Sequence, residues 1–311
     1  MRGWAIRKSG YLTMGLYGRH AAAALLALPL LLQGAHATEA RLKGAAPPTP
    51  HSAILWEQGR LSYDLDAVRR GAALPPPVFA TALPEDIGEI TDTAQKKRTF
   101  IRLVLPLVME ANARILANRH RLLEIARQGV LTREDRLWIQ ELAWDYGMDG
   151  TPRDLVRPLL LRVDIIPPSL AIAQSITESG WGTSRFAQDG RALYGQRTWS
   201  RGDGIVPERR RSGENFEVKA FRSLLESVNA YMRNLNTHPA YAELRRARAE
   251  MRREGRLIDG YRLAGHLTRY AETGQVYVDD LRLIMRVNDL RDFDRRIVPV
   301  MADRVARNFR D

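Results

Sequence analysis

The chain has 311 residues, 45% of them apolar, and its 48 basic and 36 acidic residues give a formal net charge of +12. This length suits one large domain or two modest ones with a sizeable core. No cysteine is present, which excludes a disulfide framework. The six histidines lack metal-ligand spacing, and there is no P-loop, nucleotide fingerprint or G-x-S-x-G motif. We therefore expect no metal and no cofactor.

Residues 1–37 have the order of an export signal. Four basic residues lead into a 12-residue apolar run at 21–32, and the A-x-A pattern Ala35-His36-Ala37 follows. The alternative is an uncleaved anchor, although about 20 apolar residues are needed to span a bilayer. Cleavage would leave 44 basic residues against 36 acidic ones, a net charge of +8. We expect an exported, periplasmic or cell-envelope protein with a polyanionic partner, such as cell-wall glycan or anionic lipid.

Two stretches precede the segment that carries chemistry. Residues 38–83 are rich in Ala and Pro and predict a linker or a loosely draped arm. Residues 84–161 predict a helical N-terminal module. It opens with a long amphipathic helix that ends at Gly129 and is kinked at Pro106, and two shorter helices follow with Thr132 and Thr151 as N-caps.

The stretch "LAIAQSITESGWGTS", residues 170–184, raises the question of chemistry. It predicts a buried helix with Ser169 as N-cap and Gly180 as its end. Gln174 and Ser175 lie one turn before Glu178, so this carboxylate stands on the small, polar side of the helix, where a cleft could lie. An ordinary solvated glutamate is the alternative, but the helix macrodipole disfavours a carboxylate at a C-terminus.

The rest of the chain predicts more helices and one small β-hairpin. The hairpin spans 204–221 with its turn at Ser212-Gly213, and a helix capped by Ser223 follows. The basic run Arg245 to Arg256 predicts a solvated helix face rather than a nucleic-acid contact. Residues 292–311 predict a C-terminal tail. The fold class is mainly α (α+β), with a helical domain over 162–291.

Several motifs carry a family resemblance in the right order. "AQSITESGWGTS", "ALYG", "AFRSLLESVNAYMRNLNTHPAY" and "RYAETGQVYVDDL" resemble the glucosaminidase family, glycoside hydrolase family 73, and are most similar to its Bax branch. These are bacterial enzymes that cleave the glycan chains of peptidoglycan. The resemblance implies a lysozyme-like, α-rich catalytic domain over 162–291.

The resemblance also implies that Glu178 is the general acid. Physical reasoning agrees, because glycosidic cleavage needs a proton donor and an apolar neighbour such as Trp181 would raise the pKa of a carboxyl. The family's second carboxylate lies on the first hairpin strand, which points to Glu208; Glu214 and Glu217 are weaker candidates. The alternative for Glu208 is that it offsets the three arginines after it.

Four residues are predicted to bind the sugar. Trp181, between two glycines, would bring its aromatic plane against a ligand, and the other three follow from the same resemblance. The family's Asn-Leu-Phe-Gly is Ala192-Leu193-Tyr194-Gly195 here, so Tyr194 would keep the aromatic wall and Gln196 could replace the lost asparagine. Tyr270, in the counterpart of the family's Tyr-Ala-Thr-Asp loop, would orient the N-acetyl sugar. For both tyrosines the alternative is core packing.

The leading hypothesis is an exported endo-β-N-acetylglucosaminidase that acts on peptidoglycan by general acid/base catalysis, or with the substrate's N-acetyl group as nucleophile. One alternative is a lytic transglycosylase, which uses a single catalytic glutamate. Another is a non-catalytic cell-wall-binding protein on the same fold. We expect a monomer that binds glycan chains, binds no nucleic acid and has no stable membrane insertion after signal cleavage.

Overall fold

The structure is a computed structural model that describes residues 56–57, 60–61, 63–208, 210 and 213–307. All of these residues belong to one compact unit. The leader 1–37 and its cleavage pattern lie outside the described residues, as do residues 38–55 and Ser212 of the predicted turn. Within the described residues, no helix combines the length and the apolarity that a bilayer crossing requires.

The described residues form a mainly helical fold, as the sequence predicts. The α-helices are α1 (Leu65–Arg69), α2 (Thr93–Gln128), α3 (Arg133–Asp145), α4 (Pro152–Arg162), α5 (Pro168–Ser179), α6 (Arg185–Gly190), α7 (Leu224–Thr237), α8 (Ala242–Arg253), α9 (Gly260–Leu263), α10 (Gln275–Val287) and α11 (Val298–Arg307). Short 3₁₀ segments lie at Glu85–Gly88, Pro239–Tyr241 and Ala264–His266, and a π-helix lies at Phe293–Ile297.

The strands are short and antiparallel. They are β1 (Trp56–Glu57), β2 (Arg60–Leu61), β3 (Arg197–Thr198), β4 (Gly204–Ile205) and β5 (Glu217–Lys219). β1 pairs with β2, and β5 lies between β3 and β4, with Val218 opposite both Arg197 and Ile205. The predicted hairpin is the β4–β5 pair, and the sequence did not predict the third strand, β3.

Helix α2 forms the long side of the core. Asp92 caps its start, Gly129 ends it in a left-handed conformation, and Pro106 lies inside it. The apolar stripe that predicted this helix is buried: Phe100, Val104, Val108, Ala111, Ile115, Leu122 and Ile125. The helix packs against α4, α5, α7 and α11. One apolar core therefore includes residues from both sides of position 161, and the division into a module and a catalytic domain stays a prediction.

The two ends of the described chain also join this core. In the segment predicted as a linker or arm, Leu65, Val68 and Leu83 are buried. Within the predicted tail, 292–311, residues 293–307 form the π-helix and α11, and α11 packs along α2.

Helix α5 lies in the centre, buried over most of its length. It starts at Pro168, so the prediction that Ser169 is its N-cap is wrong. The Ser169 backbone N–H and hydroxyl instead donate to the Asp294 carboxyl at 2.9 and 2.5 Å. Burial raises the pKa of Asp294 to about 7, although the hydrogen bonds from Ser169 and Gly260 lower it. The C-terminal segment thus fixes the start of α5.

The prediction of a solvated face for the basic run is wrong for two of its arginines. Arg245 and Arg248 are buried in α8. Arg248 Nη1 donates to the backbone carbonyls of Asp164 and Ile165, both at 2.9 Å, in the turn between α4 and α5. Arg252 forms an ion pair with the buried Asp164 carboxylate at 2.7 Å. The acceptors of Arg248 lie in the α4–α5 turn, 84 and 83 residues before it along the chain. The charge pattern within the run therefore could not predict that this arginine is buried.

We expect Arg248→Met to lower the free energy of unfolding by about 3–5 kcal/mol. The substitution removes a buried charge, and the backbone carbonyls that accept from it cannot form hydrogen bonds with water instead. Arg253→Met is the matched control, since Arg253 pairs with Glu250 on the exposed face of the same helix. It should change the free energy by no more than about 0.5 kcal/mol. Urea denaturation of both variants measures the difference, and equal losses would contradict the assigned role of Arg248.

Candidate active site

Glu178 lies in the last turn of α5, which Gly180 ends in a left-handed conformation with φ of 57°, as predicted. Its side chain is half-buried, and Oε1 accepts a hydrogen bond from the Tyr277 hydroxyl at 3.0 Å. Burial raises the pKa of Glu178 above its ordinary value, and the Tyr277 hydrogen bond partly offsets this rise. The geometry therefore gives a carboxyl that retains its proton to higher pH than a solvated glutamate does.

The Glu178 side chain lines a cleft of about 530 Å³. Four of the six predicted site residues line it: Glu178, Tyr194, Gln196 and Tyr270. The charged groups that share the cleft are Arg197, Arg269 and Glu272, and Asn234 and Tyr241 also line it. The cleft thus combines one half-buried acid with aromatic, amide and charged groups, and such convergent polar groups can fix the orientation of a bound ring with polar substituents.

The two predicted tyrosines take part in aromatic pairs. Tyr194 is buried and stacks on Tyr231 with ring centroids 3.8 Å apart, and its hydroxyl has no hydrogen-bond partner among the described residues. Tyr270 stacks on Tyr277 at 5.4 Å and donates to the Tyr194 backbone carbonyl at 3.3 Å. Both tyrosines therefore pack in the protein and border the cleft, and their roles toward a sugar stay predictions.

Gly195 lets the chain pass close to the acid. It has φ of 58°, and a Cβ at this position would lie 3.2 Å from Glu178 Oε2. A side chain here would therefore crowd the carboxyl oxygen that does not accept from Tyr277, in a backbone conformation that L residues rarely adopt.

Trp181 is not among the described residues that line the cleft. Its backbone has φ of 61°, and its ring packs edge-on against Phe100 at 5.9 Å, with the Lys97 ammonium 5.4 Å from its centroid. The structure therefore does not bring Trp181 to the lining of the cleft, and its roles as an apolar neighbour of Glu178 and as a substrate-binding residue stay predictions. Among the described residues, the aromatic side chain that forms a hydrogen bond with Glu178 is Tyr277. The aromatic side chains that line the cleft beside Glu178 are also tyrosines: Tyr194, Tyr241 and Tyr270.

The structure does not bring Glu208 to the cleft. β4 ends at Ile205, so Glu208 lies in the connection after the strand rather than on it. Its side chain is 82% exposed and pairs with Arg185 at 3.4 Å. The prediction of a strand position is wrong, because the strand is only two residues long; the catalytic role itself stays a prediction.

The contacts of Glu217 stabilise the small sheet. It lies buried in β5 and accepts from the backbone N–H groups of Gly202 and Gly204 at 3.1 and 3.0 Å. The carboxylate thereby holds the connection between β3 and β4. Its oxygens are directed at the backbone of the sheet.

Sequence reasoning missed Tyr277, Glu272, Arg197 and Arg269 as neighbours of the acid. Tyr277 and Glu272 lie in "YAETGQVY", a stretch that carried the resemblance, but the chain pattern does not show which of its side chains turn toward α5. Among the described residues, no group of three or more His, Asp or Glu side chains is arranged to hold a metal ion.

Comparison with known proteins decides the family. The profile of the glucosaminidase family, described as mannosyl-glycoprotein endo-beta-N-acetylglucosaminidase, matches residues 155–290. Protein bax of Escherichia coli (strain K12) is 32% identical over 201 residues, which cover 64% of this chain and 71% of that protein. The chain belongs to the glucosaminidase family, and is Bax-type. No solved structure matches this chain.

We expect Gly195→Ala to raise the pKa of Glu178, because the added methyl group would displace water from Oε2. Gly255→Ala is the control, since Gly255 has φ of 65° and open space around the position of a Cβ. Both variants should lose about 1–2 kcal/mol of stability from the left-handed backbone. Titration of Glu178 by carboxyl carbon NMR measures the pKa, and equal values in the two variants would contradict the close approach.

Proposed function

We propose that the protein is an exported endo-β-N-acetylglucosaminidase that hydrolyses the glycan chains of peptidoglycan, with Glu178 as the general acid. The observation that carries the proposal is the half-buried carboxyl of Glu178, with raised pKa, in an open cleft. Family membership supports a glycoside hydrolase, and the export signal predicted at residues 1–37 supports the compartment.

The reaction needs one proton at the leaving oxygen. Glu178 donates it, the bond between the anomeric carbon and that oxygen breaks, and the bonding electrons leave with the oxygen. Water adds to the anomeric carbon and gives up one proton. That proton goes either to Glu178 itself, or to a second base while Glu178 takes a proton from solvent and the base releases one, so that the carboxyl is restored at the end of the cycle. A second carboxylate or the substrate's own N-acetyl group can stabilise the cationic sugar.

The cleft suits a glycan that bears carboxylates. Arg197 and Arg269 are exposed, and within the described part of the chain neither guanidinium forms an ion pair. Arg197 is held over the Phe216 ring at 4.1 Å from its centroid. Two cations beside the acid favour a polymer with acidic substituents over a neutral N-acetylglucosamine polymer.

The exposure of Glu208 favours a second candidate, a lytic transglycosylase with one catalytic glutamate. Glu272 is the carboxylate that shares the cleft with Glu178, and it is an alternative base for hydrolysis. Mass spectrometry of muropeptides from digested sacculi separates the two reactions, because hydrolysis leaves a reducing end and transglycosylation leaves an anhydro sugar.

We expect Glu178→Gln to lower turnover on purified sacculi by about 10²- to 10⁴-fold, the loss typical of a general acid, while glycan binding is kept. A base role predicts a comparable loss for either Glu208→Gln or Glu272→Gln. Glu217→Gln should act through stability, since it weakens the acceptor of two backbone N–H groups.

The readouts are turnover, sacculus pull-down and circular dichroism. Wild-type turnover in a folded Glu178→Gln protein would end the proposal. If neither Glu208→Gln nor Glu272→Gln loses turnover, the substrate's N-acetyl group or a transglycosylase reaction is favoured, and the product masses decide between them.

We expect replacement of both Arg197 and Arg269 by Gln to raise KM for sacculi about tenfold, which corresponds to about 1.4 kcal/mol of binding. The KM for a neutral chito-oligosaccharide should stay unchanged. Arg133→Gln combined with Arg136→Gln on the surface of α3 removes the same net charge away from the cleft and serves as control. A rise in KM of equal size for both substrates would show that the two arginines do not select for acidic chains.

A further inference from the structure

A series of three hydrogen bonds, the first two buried and the last partly buried, leads from the core to the acid, and we call it the relay. The Tyr231 hydroxyl donates to Gln174 Oε1 at 2.7 Å, Gln174 Nε2 donates to the Tyr277 hydroxyl oxygen at 3.0 Å, and the Tyr277 hydroxyl donates to Glu178 Oε1 at 3.0 Å. Gln174 and Tyr231 are fully buried, and Tyr277 is buried too.

The donors and acceptors of these three hydrogen bonds can be arranged in one direction only. An amide nitrogen can only donate, so Tyr277 must accept from Gln174 and its single proton is left for Glu178. Gln174 Oε1 is the acceptor of the Tyr231 hydroxyl among the described residues. With the amide reversed, the buried Tyr231 proton would lose that acceptor, at a cost of about 1–3 kcal/mol. Tyr231 therefore determines the orientation of the Gln174 amide, and this amide determines the direction in which the Tyr277 hydroxyl donates.

We propose that Gln174 and Tyr231 are positioning residues that keep Tyr277 as a donor to Glu178 Oε1, so that the proton for catalysis is held on Oε2. This inference rests on the proposed function, because it assumes that Glu178 is the general acid. Oε1 already accepts a hydrogen bond from the Tyr277 hydroxyl. A proton bound to Oε1 would point at the hydroxyl proton of the same neighbour, so the carboxyl proton belongs on Oε2.

The assignment of the proton to Oε2 fits the shape of the cleft. Oε2 is the oxygen that approaches Gly195, where a Cβ would lie 3.2 Å away, and Gly195 lines the cleft. Gln174 precedes Glu178 by one helical turn, so both side chains lie on the same face of α5. The relay thus leaves the proton on the oxygen that a glycan in the cleft can reach.

The relay also predicts how the pH profile responds. The Tyr277 hydrogen bond stabilises the Glu178 carboxylate and lowers its pKa against the effect of burial. The acid is active while protonated, so turnover falls as pH rises through this pKa. Loss of the directed hydrogen bond should therefore move the falling limb of the kcat profile to higher pH.

Other titratable groups surround Glu178 and are unchanged in the test. The tyrosines are Tyr194, Tyr241 and Tyr270, and the charged groups are Arg197, Arg269 and Glu272. Because these charges are the same in the wild type and the variants, a shift of the profile reports on the relay.

The test compares four full-length variants on purified sacculi over a range of pH. Gln174→Met keeps the size of the side chain and removes both of its hydrogen bonds. We expect kcat to fall about tenfold with KM unchanged, and the falling limb to move to higher pH. Tyr277→Phe should move the limb in the same direction, and Tyr231→Phe should do so by less. Tyr146→Phe, at a buried tyrosine outside the cleft, should leave the profile unchanged.

A direct titration of Glu178 by carboxyl carbon NMR gives a second readout that needs no turnover. A raised pKa in Gln174→Met or in the shape-conserving Tyr231→Phe supports the relay, and a wild-type pKa in both of these folded variants overturns it, whatever the pKa in Tyr277→Phe. A lower kcat with an unshifted profile also overturns it, since this would be a general packing effect. Failure of the proposed function is separate, because then Glu178→Gln would itself keep wild-type turnover.

Discussion

Helix α5 carries polar side chains that are buried in the core, and each of them needs a hydrogen-bond partner. This requirement constrains how the surrounding elements pack against α5. Ser169 is paired by Asp294 of the C-terminal segment, and Gln174 is paired by Tyr231 of α7 and Tyr277 of α10. Each buried polar group left unpaired would cost about 1–3 kcal/mol. Three elements from later in the chain are therefore held to this one helix by directional bonds in addition to apolar contact.

The same pairing produces the site. Glu178 stands one turn after Gln174, where α5 comes out of the core and ends. The Tyr277 hydroxyl that satisfies the interior amide also reaches the carboxyl. The stability of the fold and the proposed chemistry thus depend on the same hydrogen-bond network, so variants in the network must be judged by their pH profile as well as by their activity.

The positive charge of the chain has two uses. Arg245 and Arg248 are buried and bind backbone carbonyls, while Arg197 and Arg269 are exposed at the cleft. Net charge therefore overstates the number of cations available to an acidic polymer. Buried arginine is costly unless its donors find acceptors, and the carbonyls in the turn before α5 accept from Nη1 of Arg248.

The sequence alone determined the features that depend on near neighbours along the chain. The period of Phe100, Val104 and Val108 placed α2, and the capping pattern at Thr132 placed the start of α3. Gly180 placed the end of α5, and with it the position of Glu178 at a helix terminus. Helical period and capping are local interactions, so a short stretch of sequence contains all the groups that they require.

Tertiary structure decided which of these groups meet. It placed Glu208 in solvent, Trp181 against α2 and Arg248 in the core. It also joined Gln174 to Tyr231, 57 residues away, and to Tyr277, 103 residues away. No local pattern contains both partners of such a bond. Their meeting follows from the way the helices pack around α5, where the burial of one polar side chain selects its distant partner.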